Sequence, residues 1–247
     1  MAKQLTKDIL QRIFSLTSES KTFLEQLQSL NAVMNHTLLN GRYLEIGSFQ
    51  GLSLGMFSSL AFDHEFNDPM HITCVDSWEG GDEHKVSKTD FLGVEQCFDK
   101  ISQICINEIL PDDSKIEKLK SPSKHALSSI SYRSEYYDLV LVDAGHKAKE
   151  VLSDLILAWD LLRTGGILIV DDYTWHPKHL DNHDSLINSP KLGVDSFLNC
   201  FSDEIILVSG QPLFQLYLKK ESPSILAKKG IHFFALESKE LPSIFTS

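Results

Sequence analysis

The chain has 247 residues, 42% of them hydrophobic, and a formal net charge of −11 from 23 Lys and Arg against 34 Asp and Glu. That is enough apolar material for a sizeable core in one or two domains, and an acidic surface repels phosphate backbones, which argues against a nucleic-acid partner. No apolar run approaches the roughly 20 residues of a membrane helix, and Lys3, Lys7, Asp8 and Arg12 break up the start as no signal peptide would, so a cytoplasmic protein without a membrane partner is expected.

Residues 6–36 read as helical. Ile9, Leu10, Ile13 and Phe14, then Phe23, Leu24, Leu27 and Leu30, recur at helical spacing, with a break at Thr17–Ser20. This extension, residues 1–38, packs on the domain, forms a lid or makes a homodimer contact; periodicity shows only that one face is buried. From Arg42 short apolar runs alternate with amphipathic ones. Strands are expected at Tyr43–Ile46, Ile72–Val75, Ile116–Leu119, Leu139–Val142 and Ile167–Val170. Helices are expected at Ser53–Phe62, Asp90–Leu110, Lys124–Ser131 and Ala148–Leu162, the last stopped by Gly165–Gly166. Residues 173–192 read as a long polar loop. Ile205–Val208 and Phe214–Leu218 are joined by a link too short for a parallel crossover, so one strand near the edge is antiparallel. The fold class is α/β: a Rossmann-like, seven-stranded, mostly parallel sheet with helices on both faces, spanning residues 39–220. Residues 221–247 are expected to form a tail packed on the domain or partly mobile. Cys74, Cys97, Cys105 and Cys200 form no CxxC pair and are expected to be reduced thiols.

In an open parallel sheet, ligands bind beyond the carboxyl ends of the strands. Polar residues gather there: Glu45-Ile-Gly47-Ser48-Phe-Gln-Gly51, Asp76, Ser121, Asp143 with His146, and Asp171-Asp172. The first motif is E-x-G-x-x-x-G, not the G-x-G-x-x-G that cradles a pyrophosphate. Its carboxylate disfavours a dinucleotide and favours a cationic ligand such as S-adenosylmethionine, while Gly47 and Gly51 allow close backbone approach. Asp76 can accept hydrogen bonds from ribose hydroxyls. Asp143, Asp171 and Asp172 place three carboxylates at the tips of adjacent strands, where crowding favours binding of a hard cation such as Mg²⁺.

The segment 44–51 resembles motif I of class I methyltransferases. Cys74-Val-Asp-Ser-Trp-Glu-Gly80, with Asp82 and His84, resembles a bacterial methyltransferase group often called family 24. The most specific match is Tyr137-Asp-Leu-Val-Leu-Val-Asp-Ala-Gly-His146, followed by Asp154, Leu161-Leu-Arg-Thr-Gly-Gly166 and Asp171-Asp-Tyr173. Such enzymes more often read Asp-Gly-Ser-His where this chain reads Asp143-Ala-Gly-His146. The resemblance implies that Glu45 and Gly47 contact the methionine part of S-adenosylmethionine, that Asp76 contacts its ribose and that the region around Ser121 contacts its adenine. Ser48, Gly51, Ser77, Trp78 and Asp143 complete that cofactor set. The layout is also similar to catechol-type O-methyltransferases, which implies a cation on Asp143, Asp171 and Asp172, and His146 as general base.

The expected function is therefore transfer of a methyl group to a hydroxyl of a small molecule, with Asp143 and His146 as catalytic residues. His176, His179, His183, Trp175 and Tyr173 could line the acceptor pocket. Alternatives are a metal-independent N-methyltransferase, a nucleotide-dependent oxidoreductase and a non-catalytic Rossmann-like binding module.

Overall fold

A computed structural model describes residues 2–17, 23–37, 40–81, 90–177, 182–209, 214–223 and 233–235. Its helices are α1 (Ala2–Leu16), α2 (Phe23–His36), α3 (Leu52–Asp63), α4 (Phe91–Ile104), α5 (Ser123–Ser129), α6 (Ala148–Leu161), α7 (Asn182–Ile187) and α8 (Pro190–Cys200). Its strands are β1 (Arg42–Ile46), β2 (His71–Asp76), β3 (Lys115–Lys120), β4 (Tyr137–Val142), β5 (Leu162–Val170), β6 (Ile205–Ser209), β7 (Leu216–Lys220) and β8 (Phe233–Ala235).

The seven expected strands form one sheet in the order β3-β2-β1-β4-β5-β7-β6, and the three-residue β8 extends it beside β6. Pairing is parallel throughout except around β7, which runs antiparallel to both β5 and β6. Successive strand residues point to opposite faces, and here both faces are apolar because both are covered. Tyr43, Cys74, Leu139, Leu141, Ile167 and Ile169 meet α1 to α4, whereas Leu44, Ile46, Val140, Val142, Leu168 and Val170 meet α5, α6 and α8. This double burial explains the near-continuous apolar runs of β4 and β5.

The N-terminal helices are part of the first of these cores: Ile9, Leu10, Ile13, Leu27, Leu30 and Val33 are all buried there. Helix α1 comes so near α3 that a Cβ on Gly55 would sit 2.8 Å from Ile13 Cγ2. Among the described residues no helix is long and apolar enough to cross a membrane. All four cysteines are thiols, Cys74, Cys97 and Cys105 buried and Cys200 exposed.

Three local expectations are corrected. The helix from residue 91 is α-helical only to Ile104 and closes as a π turn over Cys105–Ile109. Gly165-Gly166 do not stop α6, which ends at Leu161 and passes directly into β5. The glycines lie in an irregular stretch where the β4–β5 register jumps from Tyr137↔Leu162 to Leu139↔Ile167. Gly165 takes φ +81 there, and a Cβ on Gly166 would meet Asp138 O at 2.8 Å. Finally, residues 173–192 are not all loop. They contain α7 and the start of α8, which opens with Ser189 and Pro190, an N-cap and first-turn pair that the sequence displays. Most of residues 221–247, and the link residues Gly210 and Pro212, lie outside the described residues.

Candidate active site

The order of the strands reverses between β1 and β4, so the loops leaving these neighbours diverge and leave a crevice. A cleft of about 870 Å³ lies there. Gly47 and Asp143 end these two strands, and Asp143 donates its N–H to Ile46 O at 2.8 Å. Gly47 sits at φ +92, and a Cβ on it would lie 1.8 Å from Asp143 O. Only glycine fits on both counts.

Positive φ recurs around the cleft in two residues that resist it, Phe49 (φ 41) and Trp78 (φ 51), and in Asp172 (φ 55), Gly47 and Gly51. All follow the carboxyl ends of β1, β2 and β5, where backbone strain is held by surrounding contacts. Asp76 supplies some of that holding. Its Oδ2 accepts from Phe49 N–H at 2.9 Å and its Oδ1 from Trp78 N–H at 2.7 Å. It thereby ties the β1 loop to the β2 turn while still facing the cleft.

Of the expected cofactor residues, Gly47, Asp76, Ser77, Trp78 and Asp143 line the cleft. Glu45, Ser48, Gly51 and Ser121 do not. Glu45 is fully buried on the α3 face of β1, where its Oε2 accepts from Tyr43 OH at 2.9 Å. Burial raises the pKa of Tyr43 and Cys74, and the Glu45 carboxylate adds to both shifts. Gly51 begins α3 in the left-handed conformation. Ser121 N–H bonds Asp76 O at 2.9 Å, and the wall beyond it is made by Pro122, Ser123 and Lys124. Trp78 is only 4% exposed, with its indole N–H on Phe49 O and its ring against Phe98, so it supports the cleft from beneath.

On the opposite side, one ligand atom each from Asp143, His146 and Asp172 lies within 4.8 Å of the others. His146 Nε2 is 3.0 Å from Asp172 Oδ2, and Trp175 stacks on the imidazole at 4.3 Å between centroids. The structure does not bring Asp171 into this group. Its Oδ1 accepts from Asp172 N–H and its Oδ2 from Gln215 Nε2. Two carboxylates and one imidazole are a donor set that suits a divalent cation; the oxygens favour Mg²⁺ or Mn²⁺, and the nitrogen admits a first-row transition metal.

Several wall residues carry no site role in the sequence, although Asp154 falls within the family match. Glu150 and Asp154 face the cleft from successive turns of α6. Burial pushes the Asp154 carboxyl up to about 6 against a hydrogen bond from Ser123, and Glu150 adds to the rise. Their i, i+4 spacing on one helix was the available signal. Gln26 of α2 and Phe214 before β7 carried none, since only tertiary packing brings them here. Tyr173 turns away to bond Asp195, and His176 is exposed. Asp82, His84 and His179 lie outside the described residues, as does the side chain of His183.

Residues 44–173 match a family described as a methyltransferase domain, numbered 24. No curated protein matches the chain. Several solved structures share the fold. An O-methyltransferase from Bacillus cereus in complex with SAH has a TM-score of 0.52 at 14% identity, covering 87% of this chain and 90% of its own. A TDP-rhamnose 3'-O-methyltransferase of calicheamicin biosynthesis has a TM-score of 0.53 at 15% identity, covering 86% and 93%. The methyltransferase MycE of the mycinamycin pathway, in complex with Mg, SAH and mycinamycin VI, has a TM-score of 0.55 at 16% identity, covering 92% and 56%.

Proposed function

The chain belongs to the methyltransferase-domain family that it matches over residues 44–173, and from that premise we propose that it is an S-adenosylmethionine-dependent O-methyltransferase with a divalent cation in its acceptor half. The acceptor is a hydroxyl of a small molecule: a sugar, a polyol or a phenol. The observation that carries this reading is the convergence of Asp143, His146 and Asp172 on the cleft that Gly47 and Asp76 also line. The neighbour that is a TDP-rhamnose 3'-O-methyltransferase and the one bound to Mg and mycinamycin VI support a hydroxylated acceptor.

Gly47 lets the donor approach the backbone, and Asp76 offers its carboxylate to the ribose. Asp143 and Asp172 would hold the cation, which when bound would supply Lewis acidity toward an acceptor hydroxyl. His146 takes up the hydroxyl proton. Nδ1 is buried and Nε2 faces Asp172 Oδ2 at 3.0 Å, so the atom that meets the acceptor is Nε2; it takes up a proton only after exchanging Asp172 for the acceptor and in the tautomer that carries its hydrogen on Nδ1. Trp175 keeps the ring plane during that exchange. Held in line with the donor methyl, the deprotonated acceptor oxygen would form the O–C bond as the S–C bond breaks and S-adenosylhomocysteine leaves, and this positioning would supply much of the rate.

Calorimetric titration with S-adenosylmethionine and S-adenosylhomocysteine tests the donor. Micromolar binding is expected; a folded, cofactor-free protein that binds neither refutes the reading. A hydroxyl-acceptor assay in EDTA, then with Mg²⁺ restored, tests the cation. Activity indifferent to chelation, in wild type and in Asp143→Ala alike, removes the metal and favours the metal-independent alternative.

A further inference from the structure

Beneath the β5 turn runs a chain of hydrogen bonds for which the chemistry above has no use. Asp171 Oδ1 accepts from Asp172 N–H at 2.8 Å, and its Oδ2 accepts from Gln215 Nε2 at 2.9 Å. Gln215 Oε1 accepts from Tyr217 OH at 2.9 Å. Tyr217 is in turn hydrogen-bonded to Ser29 of α2. All four residues are buried: Asp171 is 8% exposed, Gln215 4%, Tyr217 1% and Ser29 8%. One turn before Ser29 on the same helix, Gln26 reaches the wall of the cleft.

The chain has a direction. A carboxylate on one side and a hydroxyl on the other allow the Gln215 amide only one orientation, Nε2 toward Asp171 and Oε1 toward Tyr217. The chain ends at Asp172, a residue without glycine's freedom that is held at φ 55. Asp tolerates this left-handed conformation better than most residues but not freely, so local restraints still decide how firmly it is held. The carboxylate on the Asp172 N–H is one such restraint, and Gln215 fixes that carboxylate. Gln215 and Tyr217 belong to β7, the strand that runs against β5, so the support reaches the turn from the neighbouring strand and not from its own loop.

We propose that Gln215 and Tyr217 are positioning residues. Through Asp171 they set the Asp172 turn, and with it the Asp143–His146–Asp172 cluster. Asp171 accordingly acts as the buried brace of the cation site. The inference rests on reading that cluster as the site of cation binding and proton uptake.

The test is Tyr217→Phe in the full chain, a change that removes one buried hydroxyl and no packing volume, with Gln215→Met as the second variant. Mn²⁺ affinity is read by electron paramagnetic resonance, the exchange of the Asp172 amide by NMR, and donor-side integrity by S-adenosylhomocysteine titration. Each variant is expected to weaken Mn²⁺ binding about tenfold and to speed Asp172 exchange about tenfold, the loss expected for one buried hydrogen bond. S-adenosylhomocysteine affinity is expected to stay within about twofold of wild type, which general destabilisation of the fold would not achieve. Wild-type Mn²⁺ affinity and wild-type Asp172 exchange in both variants overturn the proposal. If wild type itself binds no Mn²⁺, the cation reading fails, and amide exchange alone decides: faster exchange sustains the brace and unchanged exchange overturns it.

Discussion

Two aspartates bracket strand β4, and the molecule uses them in opposite ways. Asp138, near its start, is completely buried and meets its partners there: Asn40 N–H, Asn40 Nδ2, Arg42 N–H and Arg163 Nε all donate to its carboxylate. Asp143, just past its end, sits with Asp172 and His146 at the edge of a cleft. The first arrangement satisfies a buried charge and joins β1, β4 and the β5 bulge. The second sets two carboxylates and an imidazole together, an arrangement that repays its repulsion when a cation enters. The same residue type five positions apart thus gives a fastening at one edge of the sheet and a candidate site at the other.

The sharpest way to break this contrast is at the fastening. Asp138→Ala leaves Arg163 and three further donors around a dry hole and is expected to cost about 3–5 kcal/mol of stability in urea unfolding. Donor affinity in the folded fraction should persist; loss of affinity at unchanged stability would reverse the roles assigned to the two edges. At the cleft, Asp143→Ala is expected to slow methyl transfer by about 100- to 1,000-fold, the several kcal/mol a lost cation ligand forfeits. Its urea midpoint should hold or rise, because a crowded carboxylate has gone.

Asp154 lies between these extremes, buried like Asp138 yet facing the cleft like Asp143. Its carboxyl stands near 6 in the fold against an ordinary value of 3.8. The folded value is raised, so the stabilisation it confers is fully present below pH 3.8 and is lost as pH rises through about 6. Asp154→Asn should therefore gain on wild type progressively between pH 4 and 7, by up to about 3 kcal/mol. Urea curves across that window decide it, and a gap that does not change with pH would mean the carboxyl is ordinary. The smallest effect is expected on the exposed surface. Lys191 pairs with Asp195 at i, i+4 in the open, and Lys191→Ala should shift stability by no more than about 0.5 kcal/mol.

The reach of sequence reasoning varied with the range of the forces involved. Residues that act through their own strand or turn were legible: the alternation that makes the doubly covered sheet, the antiparallel β7, Gly47, and the spacing that puts His146 near Asp143. A period of 2 or 3.6 and a carboxylate at a strand tip are local facts. The motif around Glu45 points to a cofactor contact, yet the structure buries that side chain, because the face a strand residue presents depends on which helices cover it; Trp78, in the turn after β2, lines the cleft with only 4% of its surface exposed. Helix α8 begins at Ser189-Pro190, an N-terminal signal that went unread within a polar stretch.

By itself the sequence determined the class of fold, the edge of the sheet where polar side chains gather and the residue types found there. Only the tertiary structure decided that β1 lies beside β4, that His146 and not Asp171 joins Asp143 and Asp172, and that Gln26 reaches the cleft from fifty residues before Asp76. These depend on contacts between segments far apart in the chain, and such contacts are set by how whole faces pack, which no short window of residues records.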